Sequence, residues 1–179
     1  MNTYKIDDKE FEKYISAEKI NDIVSAMADK INNDYKGREV IFVVVLNGAF
    51  MFATDLFKRI EVKAKITFVK LASYESNSST GVIKQLIGLN ENIKDKEVII
   101  VEDIVDTGAS MRMLRNQLLA LEPKSLEIAA LMFKPGNFKE HYTIKYIGME
   151  IANPFIIGYG FDLDGWGRNL PDIYQLIEK

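Results

Sequence analysis

The chain has 179 residues, of which 47% are hydrophobic, a net charge of −3 at neutral pH and no cysteine. This length is typical of one domain with a sizeable core, and the acidic balance with scattered basic residues argues against a surface for nucleic acids or anionic membranes. The lack of cysteine excludes disulfides and thiolate metal sites, and it fits a reducing compartment.

We expect no signal peptide at the start of the chain. Residues 1–8 lack the apolar core of a signal peptide. No apolar run in the sequence approaches the roughly 18–20 residues that span a bilayer. We therefore expect a cytoplasmic protein without a membrane partner.

The first predicted element is a helix, with Ser16 as its N-cap and Gly37 after its end. Apolar residues at helical spacing predict one buried face, which indicates a packing role. These residues are Ile20, Ile23, Val24, Met27, Ile31 and Tyr35.

Beyond this helix the pattern alternates between strands and helices. The turn Asn47-Gly48-Ala49 links a buried strand at 40–46 to a helix at about 50–60. Further strands are predicted at 65–71, 82–87, 98–101, 126–133, 145–149 and 156–159, and a further helix at 111–121. This order predicts an α/β fold with a mainly parallel central sheet flanked by helices and a small extra subdomain.

The most informative stretch begins with the buried strand at 98–101. Its β-branched residues are typical of a strand buried on both faces, and ligands of parallel sheets bind at the carboxyl ends of such strands. Glu102, Asp103 and Asp106 follow it, and then the small residues 107–110 lead into a helix. The backbone N–H groups of that turn suit a phosphate.

Carboxylates beside a phosphate repel it unless hydroxyls or a cation intervene. A ribose and a magnesium ion would supply both, so the stretch predicts a sugar-phosphate site. The alternative is that the acidic residues only cap the helix.

The segment Glu102-Asp103-Ile104-Val105-Asp106-Thr107-Gly108 resembles the phosphoribosyl-pyrophosphate motif of the type I phosphoribosyltransferases, in particular their purine salvage branch, the hypoxanthine-guanine phosphoribosyltransferases. The resemblance extends in motif order from about Val40 to Arg168. It implies one domain over 1–179, with a core at about 36–150. It also implies a small hood subdomain from the N-terminal and C-terminal segments, a flexible lid loop, and assembly as a homodimer or homotetramer.

Within the central motif, the resemblance implies that Asp106 is the catalytic residue, close to nitrogen-7 of the purine. Some relatives have a lysine at the position of Ala109, so phosphate binding here would depend on backbone amides and hydroxyls. The residues implied for ribose and phosphate binding are Glu102, Asp103, Thr107, Gly108, Ala109 and Ser110.

The pyrophosphate site is implied at Leu46, Asn47, Gly48 and Arg168. In the family a cis peptide bond can follow the first residue of this loop, and some relatives have a lysine in place of Asn47. Gly48 permits a positive φ and close backbone approach. From the residues alone, a plain strand-to-helix turn explains this loop equally well.

The base site is implied at Lys134, Phe155 and Ile156. In the family the lysine donates to the 6-oxo group of the purine, the aromatic ring stacks on the base, and the backbone of the next residue faces the exocyclic group. The alternative interpretations are a solvated lysine and a core phenylalanine.

The serine-rich segment from Ser73 and Tyr74 to Gly81 resembles the active-site lid of the family, although an ordinary hairpin loop has the same composition. A magnesium ion is implied at Asp162, Glu102 and Asp103, because hard oxygen ligands suit this ion.

These parts imply magnesium-dependent transfer of the 5-phosphoribosyl group from phosphoribosyl pyrophosphate to hypoxanthine or guanine, giving IMP or GMP and pyrophosphate. Two alternatives stay open. A xanthine-preferring phosphoribosyltransferase would differ around Ile156, and a nucleotide-responsive RNA-binding regulator on the same fold would need a basic face. The acidic balance argues against the regulator, so no nucleic-acid partner is expected.

Overall fold

The computed structural model describes residues 3–74 and 83–177, and of 71–74 and 83–87 it describes the backbone alone. In this part of the chain the elements are β1 (Thr3–Ile6), β2 (Lys9–Ile15), α1 (Ala17–Asp34), β3 (Glu39–Val45), α2 (Phe50–Phe57), β4 (Lys63–Tyr74), β5 (Ile83–Ile87), β6 (Glu97–Val105), α3 (Ala109–Leu119), β7 (Ser125–Phe133), β8 (Tyr146–Glu150), β9 (Ile156–Ile157) and β10 (Ile173–Leu176). No helix among these residues is both long and apolar enough to span a bilayer.

The central sheet has six strands in the order β5-β4-β3-β6-β7-β8. The strands from β4 to β8 in this order pair in parallel, whereas β5 pairs antiparallel with β4. This confirms the predicted fold class and the predicted hairpin strand at the edge.

The two faces of the sheet pack against different helices, because successive side chains of a strand point to opposite sides. Val40, Phe42 and Val44 of β3 share a core cluster with α1 and α2. The other residues of the strand, Ile41, Val43 and Val45, share a second core cluster with α3. The strand is therefore buried on both sides, as its continuous apolar run predicts.

Helix α1 agrees with its prediction, since the Ser16 hydroxyl accepts a bond from the Lys19 N–H at 3.3 Å. Helix α2 ends at Phe57, before the predicted end near Ile60, because the Ile60 N–H donates to the Phe57 carbonyl and tightens the last turn. Helix α3 begins at Ala109, two residues before the predicted start, since Gly108 is its N-cap.

A second sheet has the order β1-β2-β10-β9 and combines the N-terminal and C-terminal segments of the chain. Strand β9 stops at Ile157, whereas the sequence predicted a strand to Tyr159. The correction has a backbone cause, because Gly158 and Tyr159 adopt φ values of +95° and +49° that end the strand.

Strand β6 continues past Val101 to Val105, which corrects the predicted end of this strand. Glu102 pairs with Ala130 and Val105 with Phe133 of β7. Glu102 and Asp103 therefore lie within the strand, and Asp106 is the first residue after it. Ser73 and Tyr74, the first two residues of the predicted lid segment, are the last residues of β4. The rest of this segment falls within residues 75–82, which lie outside the described part of the chain.

Candidate active site

The carboxyl ends of three neighbouring strands bring the candidate residues together. The Leu46–Gly48 turn follows strand β3, Asp106 follows β6, and Lys134 follows β7. This is the edge of a parallel sheet at which ligands bind. The loop that follows β9 in the second sheet adds Arg168 to the same region.

The turn before α3 forms a small cavity. A space of about 120 Å³ lies at the N-terminus of this helix, where backbone N–H groups and the helix dipole favour an anion. The residues around it include Glu102, Asp106, Thr107, Gly108 and Ser110. The turn therefore has the location and the size of a phosphate site.

Gly108 is required at this turn for two reasons. Its φ is +87°, which side chains rarely adopt, and a Cβ there would lie 2.7 Å from both Glu140 Cγ and Phe138 Cε2. The Tyr142 hydroxyl donates to the Gly108 carbonyl at 2.9 Å. The loop after β7 thus holds the turn from outside.

Asp106 and Lys134 form an ion pair, with 3.1 Å between Oδ2 and Nζ. Lys134 is only 8% exposed, so the solvated lysine of the alternative interpretation is excluded. Burial raises the pKa of Asp106, but hydrogen bonds from Asn137 and Lys134 outweigh this effect and the pKa is lowered overall. The carboxyl group is therefore ionised at neutral pH.

Two asparagines complete this group, and sequence reasoning assigned no role to either. Asn137 Nδ2 lies 2.8 Å from Asp106 Oδ1, and Lys134 Nζ lies 2.8 Å from Asn153 Oδ1. Asn137 follows Pro135-Gly136, where an asparagine is expected in any turn. The only available signal for Asn153 was its place two residues before Phe155, the proposed base-stacking residue.

Gly48 packs against the carboxyl group of Asp103. A Cβ on Gly48 would overlap Asp103 Oδ2, and a Cβ on Gly160 would overlap the Gly48 carbonyl oxygen. Of the two properties that a glycine permits here, the structure uses close backbone approach and not a positive φ. The Leu46–Asn47 peptide bond is cis.

Glu102 and Asp103 are adjacent carboxyl groups with raised pKa values. Burial, and then repulsion from Asp103, raise the pKa of Glu102 well above its usual value. Burial also raises the pKa of Asp103, although a hydrogen bond with the Glu102 side chain and, after it, the Ile104 N–H and the Arg168 guanidinium oppose the shift. Hydroxyl donors or a cation at these oxygens would compensate for the lost hydration and for the repulsion between the two carboxyl groups.

Arg168 links Asp162 to the backbone of the loop that follows β9. Its Nη2 lies 2.6 Å from Asp162 Oδ1, and its Nη1 donates to the Gly160 carbonyl at 2.5 Å. The Gly165 N–H donates to the other Asp162 oxygen at 2.7 Å. Asp162 is therefore already engaged on both oxygens.

The side chains implied as metal ligands do not form a complete coordination site by themselves. Across residues 3–74 and 83–177, no three acidic, histidine or cysteine side chains meet in a metal cluster. Magnesium is commonly held by one or two carboxylates together with water and substrate phosphates. The paired carboxylates Glu102 and Asp103 fit that mode of binding.

The two remaining base-site residues differ in exposure. The Phe155 side chain is 46% exposed, with its ring centroid 6.3 Å from that of Phe11, so the core interpretation of this ring is excluded. Ile156 is buried and pairs with Gln175 of β10.

A family model of the phosphoribosyl transferase domain matches residues 12–164. The chain belongs to the phosphoribosyltransferase family. This confirms the resemblance of the central motif to the phosphoribosyltransferases, and it makes the protein an enzyme of that family.

Similar members of the phosphoribosyltransferase family support the same assignment. The hypoxanthine-guanine phosphoribosyltransferase of Staphylococcus epidermidis is 39% identical over 163 residues, which cover 90% of this chain and 91% of that protein. The corresponding protein of Mycobacterium bovis is 35% identical over 175 residues, with 90% and 87% covered. A crystal structure of a hypoxanthine-guanine phosphoribosyltransferase from Bacillus anthracis superposes with a TM-score of 0.84 at 33% identity, covering 93% of this chain and 97% of that one.

Proposed function

We propose that this phosphoribosyltransferase transfers the 5-phosphoribosyl group from phosphoribosyl pyrophosphate to hypoxanthine or guanine, with IMP or GMP and pyrophosphate as products. The observation that carries the proposal is the Asp106–Lys134 ion pair, since Asp106 also lines the cavity at the N-terminus of α3. The site thus combines a carboxylate, a buried ammonium and an anion-binding helix end, which match the base and the phosphate of a purine nucleotide.

The phosphate and the ribose are assigned to the two halves of the central motif. The turn Thr107-Gly108-Ala109-Ser110 binds the 5′-phosphate through backbone N–H groups and two hydroxyls. Glu102 and Asp103 accept hydrogen bonds from the ribose hydroxyls, which offset the burial and the repulsion from Asp103 that raise the pKa of Glu102.

The pyrophosphate is assigned to the Leu46-Asn47-Gly48 loop and to Arg168. The loop contributes backbone groups, which approach closely because Gly48 has no side chain. Arg168 has five N–H donors, and its planar group suits phosphate oxygens. Asp162 orients this guanidinium through their 2.6 Å contact.

Base selection is assigned to Lys134, Phe155 and the backbone of Ile156. An ammonium donates and never accepts, so Lys134 favours a 6-oxo group over the 6-amino group of adenine. The exposed ring of Phe155 stacks on the base, which adds affinity for any purine.

In the reaction, the bond between the anomeric carbon and pyrophosphate breaks and a bond to nitrogen-9 of the purine forms. Arg168 stabilises the leaving group, and Asp106 accepts a proton from the purine or stabilises the charge that develops on it. Glu102, Asp103 and Asp162 are the residues that would hold Mg²⁺, which would supply further positive charge at the leaving group when bound.

The same proposal includes the larger-scale expectations from the family. One domain spans 1–179, with a core at about 36–150 and a hood built from both ends of the chain. A lid that begins at Ser73 and Tyr74 excludes water from the sugar cation. The assembly is a homodimer or homotetramer, which light scattering would test, and the location is cytoplasmic.

The experiment offers the purified protein phosphoribosyl pyrophosphate and Mg²⁺ with hypoxanthine, guanine, xanthine, adenine or uracil, and quantifies the nucleotide formed. Turnover of hypoxanthine or guanine supports the proposal. Turnover of xanthine alone would retain the mechanism and overturn the base assignment. No turnover with any base, in folded protein, would contradict the proposed function and favour the RNA-binding regulator, which a salt-dependent RNA mobility shift would detect.

A further inference from the structure

Asn137 lies in the turn that follows β7, where its side chain reaches back over the active site. Its backbone N–H donates to the Lys134 carbonyl at 3.1 Å, which closes the turn. Its Nδ2 then lies 2.8 Å from Asp106 Oδ1 and 3.2 Å from Asn153 Oδ1. The side-chain amide therefore touches both an acid and an amide of the site.

Lys134 makes the complementary pair of contacts. Its Nζ lies 3.1 Å from Asp106 Oδ2 and 2.8 Å from Asn153 Oδ1. The hydrogen bonds thus close a ring of four side chains: Asp106, Lys134, Asn153 and Asn137.

Chemistry sets the direction of every bond in this ring. An ammonium only donates, so Asn153 must present its oxygen to Lys134. An ionised carboxylate only accepts, so Asn137 must present its nitrogen to Asp106. Asp106 therefore receives one donor on each oxygen, and its carboxyl plane is held from two sides.

The ring also determines what Lys134 has left for a ligand. An ammonium has three donors, and the ring uses two of them, toward Asp106 and Asn153. Because Lys134 donates to the Asn153 oxygen as well as to Asp106, its ammonium has two fixed partners. Asn137 donates to the same Asn153 oxygen and so fixes its position. The third donor is the one that the proposed function directs at the purine.

We propose that Asn137 is a positioning residue of the transfer reaction, which holds the Asp106 carboxylate directly and the Lys134 ammonium through Asn153. This inference depends on the proposed function, since it concerns the groups that contact the base. Asn137 acts through Asp106 and Asn153, which its side-chain amide contacts directly.

The sharpest variant is Asn137→Asp, which keeps the side-chain volume but replaces the donor by a second acceptor facing Asp106. Asn137→Ala removes the donor without adding charge, and Asn137→Gln retains an amide donor. Asn90→Asp is the matched control, because Asn90 is exposed and precedes Glu91, which pairs with Lys65 near the start of β4. That position lies toward the opposite end of the sheet.

The measured quantities are kcat, KM for the base, KM for phosphoribosyl pyrophosphate and the thermal midpoint. A lost hydrogen bond to a charged group predicts that kcat/KM for the base falls about tenfold in Asn137→Ala and further in Asn137→Asp. Asn137→Gln recovers part of the loss. In the Asn137 variants, KM for phosphoribosyl pyrophosphate stays close to that of the unmodified enzyme. The Asn90→Asp control matches the unmodified enzyme in all kinetic constants.

A double-variant cycle separates positioning from a merely structural role. If Asn137 acts through Asp106, then Asn137→Ala has little further effect on kcat in the Asp106→Asn background. The proposal would be overturned if the effects of the two substitutions on kcat were fully additive. It would also be overturned if Asn137→Ala raised both KM values equally and lowered the thermal midpoint. Base kinetics unchanged in Asn137→Asp would also overturn it. An unmodified enzyme that converts no base would instead overturn the proposed function, and this inference with it.

Discussion

The Lys134 ammonium lies 3.1 Å from the Asp106 carboxylate, and this ion pair joins the carboxyl ends of β6 and β7. The two partners differ in exposure, with side-chain values of 10% for Lys134 and 43% for Asp106. A buried ammonium requires partners that compensate for its lost hydration. The pair therefore offers a substrate a fixed cation beside an accessible carboxylate.

The first prediction concerns Asp106→Asn, which keeps the shape of the side chain and removes its charge. We expect kcat to fall about 10²–10⁴-fold, because a positioned acid or base typically contributes that factor. KM for phosphoribosyl pyrophosphate should change little. Steady-state kinetics check this, and equal losses in turnover and in phosphoribosyl pyrophosphate binding would contradict the catalytic role.

The second prediction concerns Lys134→Met, which removes the ammonium but keeps most of the apolar stem. We expect KM for hypoxanthine to rise about tenfold or more, because a hydrogen bond to a charged group is lost. The preference for hypoxanthine over adenine should fall as well. Lys36→Met is the control, since Lys36 is exposed before the start of β3 at the other end of the sheet. An unchanged preference between the two bases would exclude Lys134 from base selection.

The third prediction concerns Gly48→Ala, whose added Cβ would overlap Asp103 Oδ2. We expect a loss of about 1–3 kcal/mol in the free energy of unfolding, as is typical of overpacking, together with a higher KM for phosphoribosyl pyrophosphate. Gly136→Ala is the control, because nothing lies within 4 Å of a Cβ there. Urea unfolding and kinetics check both variants. A Gly48→Ala enzyme that matches the control would show that the loop adjusts freely.

The fourth prediction concerns the exposed ring of Phe155. We expect Phe155→Ala to weaken binding of hypoxanthine and guanine alike by about 1–3 kcal/mol, the value of one aromatic stacking contact. Trp166→Ala is the control, because Trp166 is 69% exposed and has no assigned role. Calorimetric titrations with IMP and with GMP, which carry these two bases, measure the effect. Loss of affinity for one base alone would indicate selection and not stacking.

The fifth prediction concerns pH and Asp172, which ties the second sheet to α1. Asp172 Oδ1 accepts from the Ala17 N–H at 2.8 Å, and Oδ2 lies 2.7 Å from Lys13 Nζ. The hydrogen bond from Lys13 is the main cause of its lowered pKa, which outweighs the opposing effect of burial. The stabilisation is therefore present above the unfolded pKa of about 3.9 and is lost as pH falls through the lower folded value.

Accordingly, Asp172→Asn should be less stable than the unmodified chain at pH 7. The difference in the free energy of unfolding should shrink as pH falls below about 4, because both chains then carry an uncharged group. Urea unfolding at a series of pH values measures this. A difference that stays constant from neutral to acidic pH would show that the charge of Asp172 contributes no stability.

The elements that build the central sheet were predictable because their burial is uniform. The strand β3 is apolar throughout after Glu39, and the run from Val98 to Val101 in β6 is equally clear. What the pattern missed was the continuation of β6 to Val105. Pairing with β7 extends the strand through Glu102 and Asp103, and no local signal reports the partner strand.

The second sheet was the least predictable part of the fold. In β2 only Phe11 and Ile15 are buried, four residues apart, so the alternation expected of a strand is absent. Strand β10 has a register shift between Ile173 and Tyr174. Both strands are stabilised by pairing between opposite ends of the chain, which a local pattern does not reveal.

For the active site, the sequence indicated the residue types but not their contacts. Asp106 and Lys134 were identified from a motif and a strand end, and their ion pair required the fold. Asn137 and Asn153 have no distinctive spacing, since their hydrogen bonds with Asp106 and with each other form only in the folded chain. The role of Gly48 as a contact for Asp103 was likewise visible only in the structure.

The most direct test of phosphoribosyl transfer is the stoichiometry of products with hypoxanthine, phosphoribosyl pyrophosphate and Mg²⁺. IMP and pyrophosphate are quantified in the same samples over time. The proposed mechanism predicts that both form at the same rate, one for one, and that neither forms without the protein. Pyrophosphate released without IMP, or no product from folded protein, would contradict it.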